Sequence, residues 1–146
     1  MTTWLSPDQL RDWRSFITLA EMLEAGLARD LAPSGLSYPD YVVLVVLSEA
    51  PEHRLRMQDL GTALSWSKSR LSHQIRRMSG RGLARREECS GDARGVYAVL
   101  TPEGLAAIKA AAPAHVESVR RMVVDVLTPA ELATLGTLAR KLQSRM

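Results

Sequence analysis

One cysteine, Cys89, stands in 146 residues, so no disulfide can form within the chain. No apolar run approaches the roughly 18–20 residues that span a bilayer. The opening MTTWLSPDQL has neither the basic start nor the apolar run of a signal peptide. A cytoplasmic location without a membrane partner is therefore expected. The histidines are His53, His73 and His115, scattered with no HxxxH or CxxC spacing. No metal site is expected from them. There is no glycine-rich phosphate loop, no paired nucleophile and base, and no carboxylate pair in a recognisable setting, so neither an enzyme nor a cofactor is expected. Internal repeats and low-complexity segments are lacking too.

What is present is an ordinary globular composition, 46% hydrophobic and 24% charged, in a chain long enough for one domain with a real core. The charge is unevenly spread. From His53 to Gly95 there are ten Lys/Arg (54, 56, 68, 70, 76, 77, 81, 85, 86, 94) against four acids (59, 87, 88, 92), while the rest of the chain is net acidic. A basic middle between acidic ends is the electrostatic footprint of a nucleic-acid-binding segment.

Ser6-Pro7-Asp8-Gln9 is a capping box. It opens a helix of about 25 residues, with Leu10, Trp13, Ile17, Ala20, Leu23, Leu27 and Leu31 at three- and four-residue steps, ended by Pro33 and Gly35. Ser37 to Asp40 reads as a second helix start. The run that follows, VVLVVL from Val42 to Leu47, is β-branched and apolar on every side. Propensity favours a buried strand there, whereas the capping signature and Ser48-Glu49-Ala50-Pro51 favour a wholly buried helix. A polar connection from Glu52 to Arg56, with Leu55-Arg56 as a short extended segment, leads to a short helix from Gln58 to Leu64, with Leu60, Ala63 and Leu64 facing inward. Ser65-Trp66 makes a turn, and Ser67 caps a further helix.

That helix, SKSRLSHQIRRMSGR from Ser67 to Arg81, has an apolar back and a polar front. Leu71, Ile75 and Met78 share one narrow stripe. Ser69, His73 and Arg76 lie opposite, with Ser72 on one side and Arg70 and Arg77 on the other. Hydroxyl, imidazole and guanidinium donors of this kind are what phosphates and base edges accept. Short helix, turn and polar-faced helix make a helix-turn-helix. Gly82 ends it. The extended Ala84 to Cys89, a Gly/Asp loop at 90–95 and the strand Val96 to Leu100 then read as a β-hairpin. A hairpin in this place makes the helix-turn-helix a winged one, whose loop arginine, Arg94, reaches toward a minor groove.

Thr101-Pro102 opens a long helix with Leu105, Ile108, Ala112, Val116, Val119, Val123 and Val126 on one stripe, and Pro113 in its interior is expected to kink it. Thr128 to Glu131 is a third capping box, opening a last helix with a seam of Leu132, Leu135, Leu138 and Leu142. The terminal helices carry more apolar surface than a winged-helix core can cover. A two-fold dimer would bury it and would present the pair of recognition helices that a palindromic site requires. Trp4, Leu5, Val123, Leu127 and the four seam leucines are the expected interface.

The chain resembles the MarR (multiple-antibiotic-resistance regulator) family over nearly its whole length. The resemblance is carried by Leu36-Ser37, Met57-Gln58-Asp59-Leu60, Leu71 to Met78 (LSHQIRRM), Arg81 to Arg86 (RGLARR), Asp92-Ala93-Arg94, Leu100 to Gly104 (LTPEG) and Leu127 to Glu131 (LTPAE). It departs at Ala84, where a larger aliphatic is usual, and at Met78, where leucine is common. The resemblance implies a mainly α, winged helix-turn-helix protein with four helices, a strand, the wing, a second strand and two final helices. Residues 1–36 and 101–146 would form a helical dimerisation region and 37–100 the DNA-binding region. It implies a homodimeric repressor or activator that binds a pseudo-palindromic operator in double-stranded DNA and is released by a small ligand or an oxidant. It also implies that VVLVVL is a helix, that Arg94 enters the minor groove and that Asp92 supports the wing.

The expected DNA contacts are thus Ser67, Lys68, Ser69, Arg70, Ser72, His73, Arg76, Arg77 and Arg94. The family implies an effector cleft between the dimerisation helices and the winged region. Trp13, Arg14, Phe16, Tyr38, Tyr41 and His115 are its candidate lining, suited to an aromatic or phenolic anion. Cys89 carries a redox alternative, with Arg85 and Arg86 lowering its pKa and Glu87 and Glu88 opposing. Oxidant-sensing relatives usually place the reactive cysteine near the N-terminus, where this chain has none. A winged helix used as a protein-interaction module, or as a sequence-indifferent DNA binder, is the other alternative.

Overall fold

Each of the three capping boxes is closed by both of its hydrogen bonds. Gln9 N–H donates to Ser6 Oγ at 3.2 Å, and Ser6 N–H to Gln9 Oε1 at 2.9 Å. Asp40 N–H donates to Ser37 Oγ at 3.1 Å, and Ser37 N–H to Asp40 Oδ2 at 2.9 Å. Glu131 N–H donates to Thr128 Oγ1 at 3.2 Å, and Thr128 N–H to Glu131 Oε2 at 2.8 Å. Each box satisfies donors that a helix start would otherwise leave open. The computed structural model describes residues 1–88 and 95–146. Cys89, Asp92 and Arg94 lie outside the described residues.

The elements are α1 (Pro7–Leu31), α2 (Tyr38–Glu49), β1 (Arg54–Arg56), α3 (Met57–Leu64), α4 (Lys68–Gly80), β2 (Ala84–Glu88), β3 (Val96–Leu100), α5 (Pro102–Val119) and α6 (Pro129–Gln143). The fold is mainly α, a winged helix-turn-helix with a small antiparallel sheet ordered β1-β3-β2. Among the described residues no single helix is long and apolar enough to cross a membrane. The chain divides into two compact units, one of residues 1–30 and 114–146, the other of residues 31–113. These limits differ from 36 and 101 because Leu31, Leu36, Ile108 and Ala111 are buried in the core of the second unit.

In that second unit, VVLVVL is helical. Val43, Leu44 and Leu47 are fully buried, whereas Val42, Val45 and Val46 are half-buried. The capping box, not the β propensity of the residues, decides the local conformation. The helix is not the wholly buried one that its composition suggests, since Val42, Val45 and Val46 stay partly open. Leu60 from α3 and Leu71, Ile75 and Met78 from α4 pack on the same core. Ala63, expected to face inward, is exposed.

The short extended segment expected at Leu55-Arg56 is a strand, β1, paired with β3. Leu55 pairs with Ala98, and Arg54 and Arg56 pair with Val99 and Tyr97, so β1 is a full third strand. Arg54 covers the Tyr97 ring at 3.9 Å from its centroid and meets Glu87 at 3.2 Å. Side-chain contacts across three strands thus hold a segment only three residues long.

The unit of residues 1–30 and 114–146 is tied by Asp30, which accepts from Ser118 Oγ at 2.7 Å and meets Arg121 at 2.5 Å. The α-helix runs through Pro113 and ends at Val119, where a π turn covers Arg120–Val124. Asp125 N–H reaches Arg120 O at 2.8 Å, the i to i+5 bond of such a turn. Val116 before the turn and Val126 after it are exposed.

A candidate nucleic-acid interface on the second helix of the helix-turn-helix

Ser65, with φ 55°, reverses the chain after α3, and its N–H and that of Trp66 close the turn on Thr62 O and Gly61 O. Ser67 then caps α4, its Oγ accepting from Arg70 N–H at 3.2 Å. With the helix so started, the side chains separate by face. Leu71, Ile75 and Met78 are buried, while Lys68, Ser69, Arg70, His73, Arg76 and Arg77 are exposed and Ser72 is half-buried. The exposed set holds four cations and no carboxylate.

Two of those cations are held in place. The Arg70 guanidinium lies 4.1 Å from the Trp66 ring centroid, a cation–π stack on a half-buried indole. Arg77 donates to Gln74 Oε1. Gln74 is itself buried and donates from Nε2 to Asp40 Oδ1 at 2.6 Å. Asp40, also buried, accepts from Arg81 Nη1 at 2.5 Å, and Arg81 Nη2 donates to Gly35 O at 2.5 Å. Burial alone would raise the Asp40 pKa. The Arg81 hydrogen bond, the bonds from Ser37 and the Arg81 charge outweigh it, and the carboxyl is held below its ordinary value.

Beside the first turn of α4 is a hollow of about 760 Å³, with Arg56, Lys68, Trp66, Ser72 and Arg86 in its wall. Arg86 Nη1 donates to Ser72 Oγ at 3.2 Å. Three cations from β1, α4 and β2 around a concave wall next to a helix N-terminus form a place for an anion such as a phosphate. Arg56 and Arg86 were not among the residues expected from the sequence. Their signal was the run of basic residues in the middle of the chain, but strand register alone turns Arg86 toward α4 and Arg85 away from it.

The expected effector residues fall in both units. Trp13, Arg14 and Phe16 are exposed on α1, with the two rings tilted at 40° and 6.2 Å apart. His115 is half-buried on α5, and burial lowers its pKa. Tyr41 belongs to the core of the winged unit, which raises its phenol pKa, and Tyr38 packs against that core. Of the expected interface residues, Trp4 is 85% and Leu138 53% exposed, Leu5, Leu135 and Leu142 are exposed as well, and Val123, Leu127 and Leu132 are half-buried.

Helix, turn, polar-faced helix and antiparallel hairpin define a winged helix-turn-helix DNA-binding protein. A model of the MarR family matches residues 34–95. The structure is similar to that of AbsC, a MarR family transcriptional regulator from Streptomyces coelicolor (TM-score 0.93, 44% identity, covering 99% of this chain and 97% of that one). It is also similar to Sco3205, a MarR family transcriptional regulator from the same organism, in complex with DNA (TM-score 0.93, 40% identity, 97% and 90% covered). Bordetella bronchiseptica BpsR, whose DNA binding is regulated by 6-hydroxynicotinic acid, shares the fold (TM-score 0.83, 21% identity, 97% and 98% covered). No curated protein matches the sequence. The chain belongs to the MarR family and is a DNA-binding transcriptional regulator.

Proposed function

We propose that the protein acts in the cytoplasm as a homodimer. It lays α4 of each subunit in the major groove of a pseudo-palindromic operator and sets the 90–95 wing, with Arg94, in the adjacent minor groove. The observation that carries this is the exposed face of α4, which presents four cations, two serines and a histidine over an apolar back. Arginine reads guanine edges, while serine and lysine serve phosphates. In this reading Ser67, Lys68, Ser69, Arg70, Ser72, His73, Arg76 and Arg77 make the contacts, with Arg56 and Arg86 supplying phosphate contacts beside them. Residues 1–36 and 101–146 form the dimerisation region, which is supported by the exposure of Trp4, Leu5, Leu135, Leu138 and Leu142.

Protection footprinting on duplexes selected by the protein from a random-sequence pool tests this directly. Two protected half-sites about one helical turn apart are expected. Arg70→Ala and Arg94→Ala should each weaken binding and lower its salt dependence by about one unit of slope. A single unsymmetrical footprint, or unchanged affinity and slope in both variants, overturns the reading.

A small aromatic acid or phenol is the proposed effector class. Support comes from the exposed Trp13 and Phe16 rings with Arg14 between them in sequence, and from the aromatic acid that regulates BpsR. Loss of DNA binding on adding 6-hydroxynicotinic acid or a simple phenol, and its absence in Arg14→Ala, is the expected result. Release that is equal in wild type and variant removes Arg14 from the site.

A further inference from the structure

Gln74 is out of keeping with the helix face it occupies. It lies among Leu71, Ile75 and Met78 and is 3% exposed, where leucine or methionine would satisfy the packing. Burying an amide is unfavourable unless both of its ends find partners. Both do, and the partners differ in kind. Nε2–H donates inward to Asp40, whose carboxylate is fixed by Ser37 N–H and by Arg81. Oε1 accepts outward from Arg77. The orientation of the amide is unambiguous, since a carboxylate takes only a donor and a guanidinium offers only donors. A carboxamide is the side chain that serves both at once. Leucine serves neither, and glutamate would place a second carboxylate against Asp40.

Asp40 and Gln74 are the buried polar side chains of the winged unit among the described residues. Together they form a continuous line from the Gly35 carbonyl through Arg81, Asp40 and Gln74 to Arg77 on the outer face of α4. Such a hydrogen-bonded line, buried at Asp40 and Gln74, fixes one geometry where apolar packing tolerates several. We propose that Gln74 is a positioning residue for DNA recognition. Anchored on Asp40, it holds the Arg77 guanidinium in the place from which it meets the DNA, so that ordering this arginine is completed on folding rather than on binding. The inference rests on the α4 face being the DNA-binding face.

The test is a pair of double-mutant cycles, read by fluorescence anisotropy on a duplex selected by the wild-type protein. Gln74→Met removes both hydrogen bonds at nearly constant shape. It and Arg77→Ala should each weaken binding about three- to tenfold, the range for losing one pre-ordered long side chain. The double variant should bind no more weakly than Arg77→Ala, whereas Gln74→Met and Arg70→Ala should multiply. Effects that multiply with Arg77→Ala, or a Gln74→Met protein that binds like wild type, overturn the proposal. If Gln74→Met does not fold because Asp40 loses a partner, the same cycles are measured in an Asp40→Asn background, with the same outcomes deciding. Should Arg70→Ala and Arg76→Ala weaken binding while Arg77→Ala does not, this proposal alone falls. If all three leave binding unchanged, the reading of the α4 face falls with it.

Discussion

A Cβ on Gly104 would lie 2.0 Å from the Leu83 carbonyl oxygen and 3.0 Å from its carbon, backbone atoms that have no other rotamer. Gly104 is therefore required where α5 crosses the end of the segment that follows α4. Gly104→Ala should destabilise the protein by at least about 1–3 kcal/mol, read as a lower midpoint in urea. A Cβ on Gly26 would also make a short contact, 2.8 Å, but to Met122 Sδ toward the end of a flexible side chain. Gly26→Ala should leave the midpoint unchanged or raise it, because the thioether can move and alanine favours the helix. The steric difference between these two glycines lies in the neighbour each one meets.

Asp40 also acts at this scale. Its folded pKa lies below the ordinary 3.8, so the folded protein binds fewer protons there than the unfolded chain. The stability it contributes is fully present above the ordinary carboxylate pKa and is lost as pH falls through the lowered folded value. Urea unfolding followed from pH 7 to pH 3 should show an acid loss in wild type that is reduced in Asp40→Asn. Parallel curves for the two proteins would mean that Asp40 is not the group responsible.

At the scale of the element, α2 is the instructive case. Six consecutive β-branched or leucine residues favour strand, yet the box at Ser37 and Asp40 starts a helix and tertiary packing keeps it. Leu44 has no exposed surface, and Leu44→Ala should cost about 2–5 kcal/mol, the range for a buried leucine. Val42, half-buried on the same helix, should cost less as Val42→Ala, and the ratio of the two measures which side of α2 faces the core. The third strand shows the opposite limit. Leu55-Arg56 reads as extended, but nothing local shows its pairing, because its partners Tyr97, Ala98 and Val99 lie more than forty residues away. The π turn after Val119 was equally hidden, since the valine spacing continues through it.

For the whole molecule, the apolar surface left open on the terminal helices is the dominant fact. Trp4, Leu5, Leu135, Leu138 and Leu142 are exposed in the single chain, more than a soluble monomer usually presents. A homodimer covering them should unfold at a temperature that rises with protein concentration. Leu138→Glu should shift sedimentation to the monomer and, by separating the two recognition helices, weaken operator binding by a hundredfold or more, roughly the loss of the second half-site's avidity. A monomeric wild type at micromolar concentration would remove the basis for this reading.

Local chemistry determined much by itself. Three capping boxes, the turn at Ser65, the stop at Gly82 and the two-faced pattern of Ser67 to Arg81 are interactions among residues at most four apart. The order of helices, the hairpin and the basic face could therefore be read directly. Only the tertiary structure decided which side chains complete that face. Gln74 reads as one more polar residue until α2 brings Asp40 beneath it, and Arg86 reads as half of an Arg-Arg pair until strand register turns it onto Ser72. Those partners are far apart in sequence, and their meeting depends on how helices and strands pack rather than on any local preference.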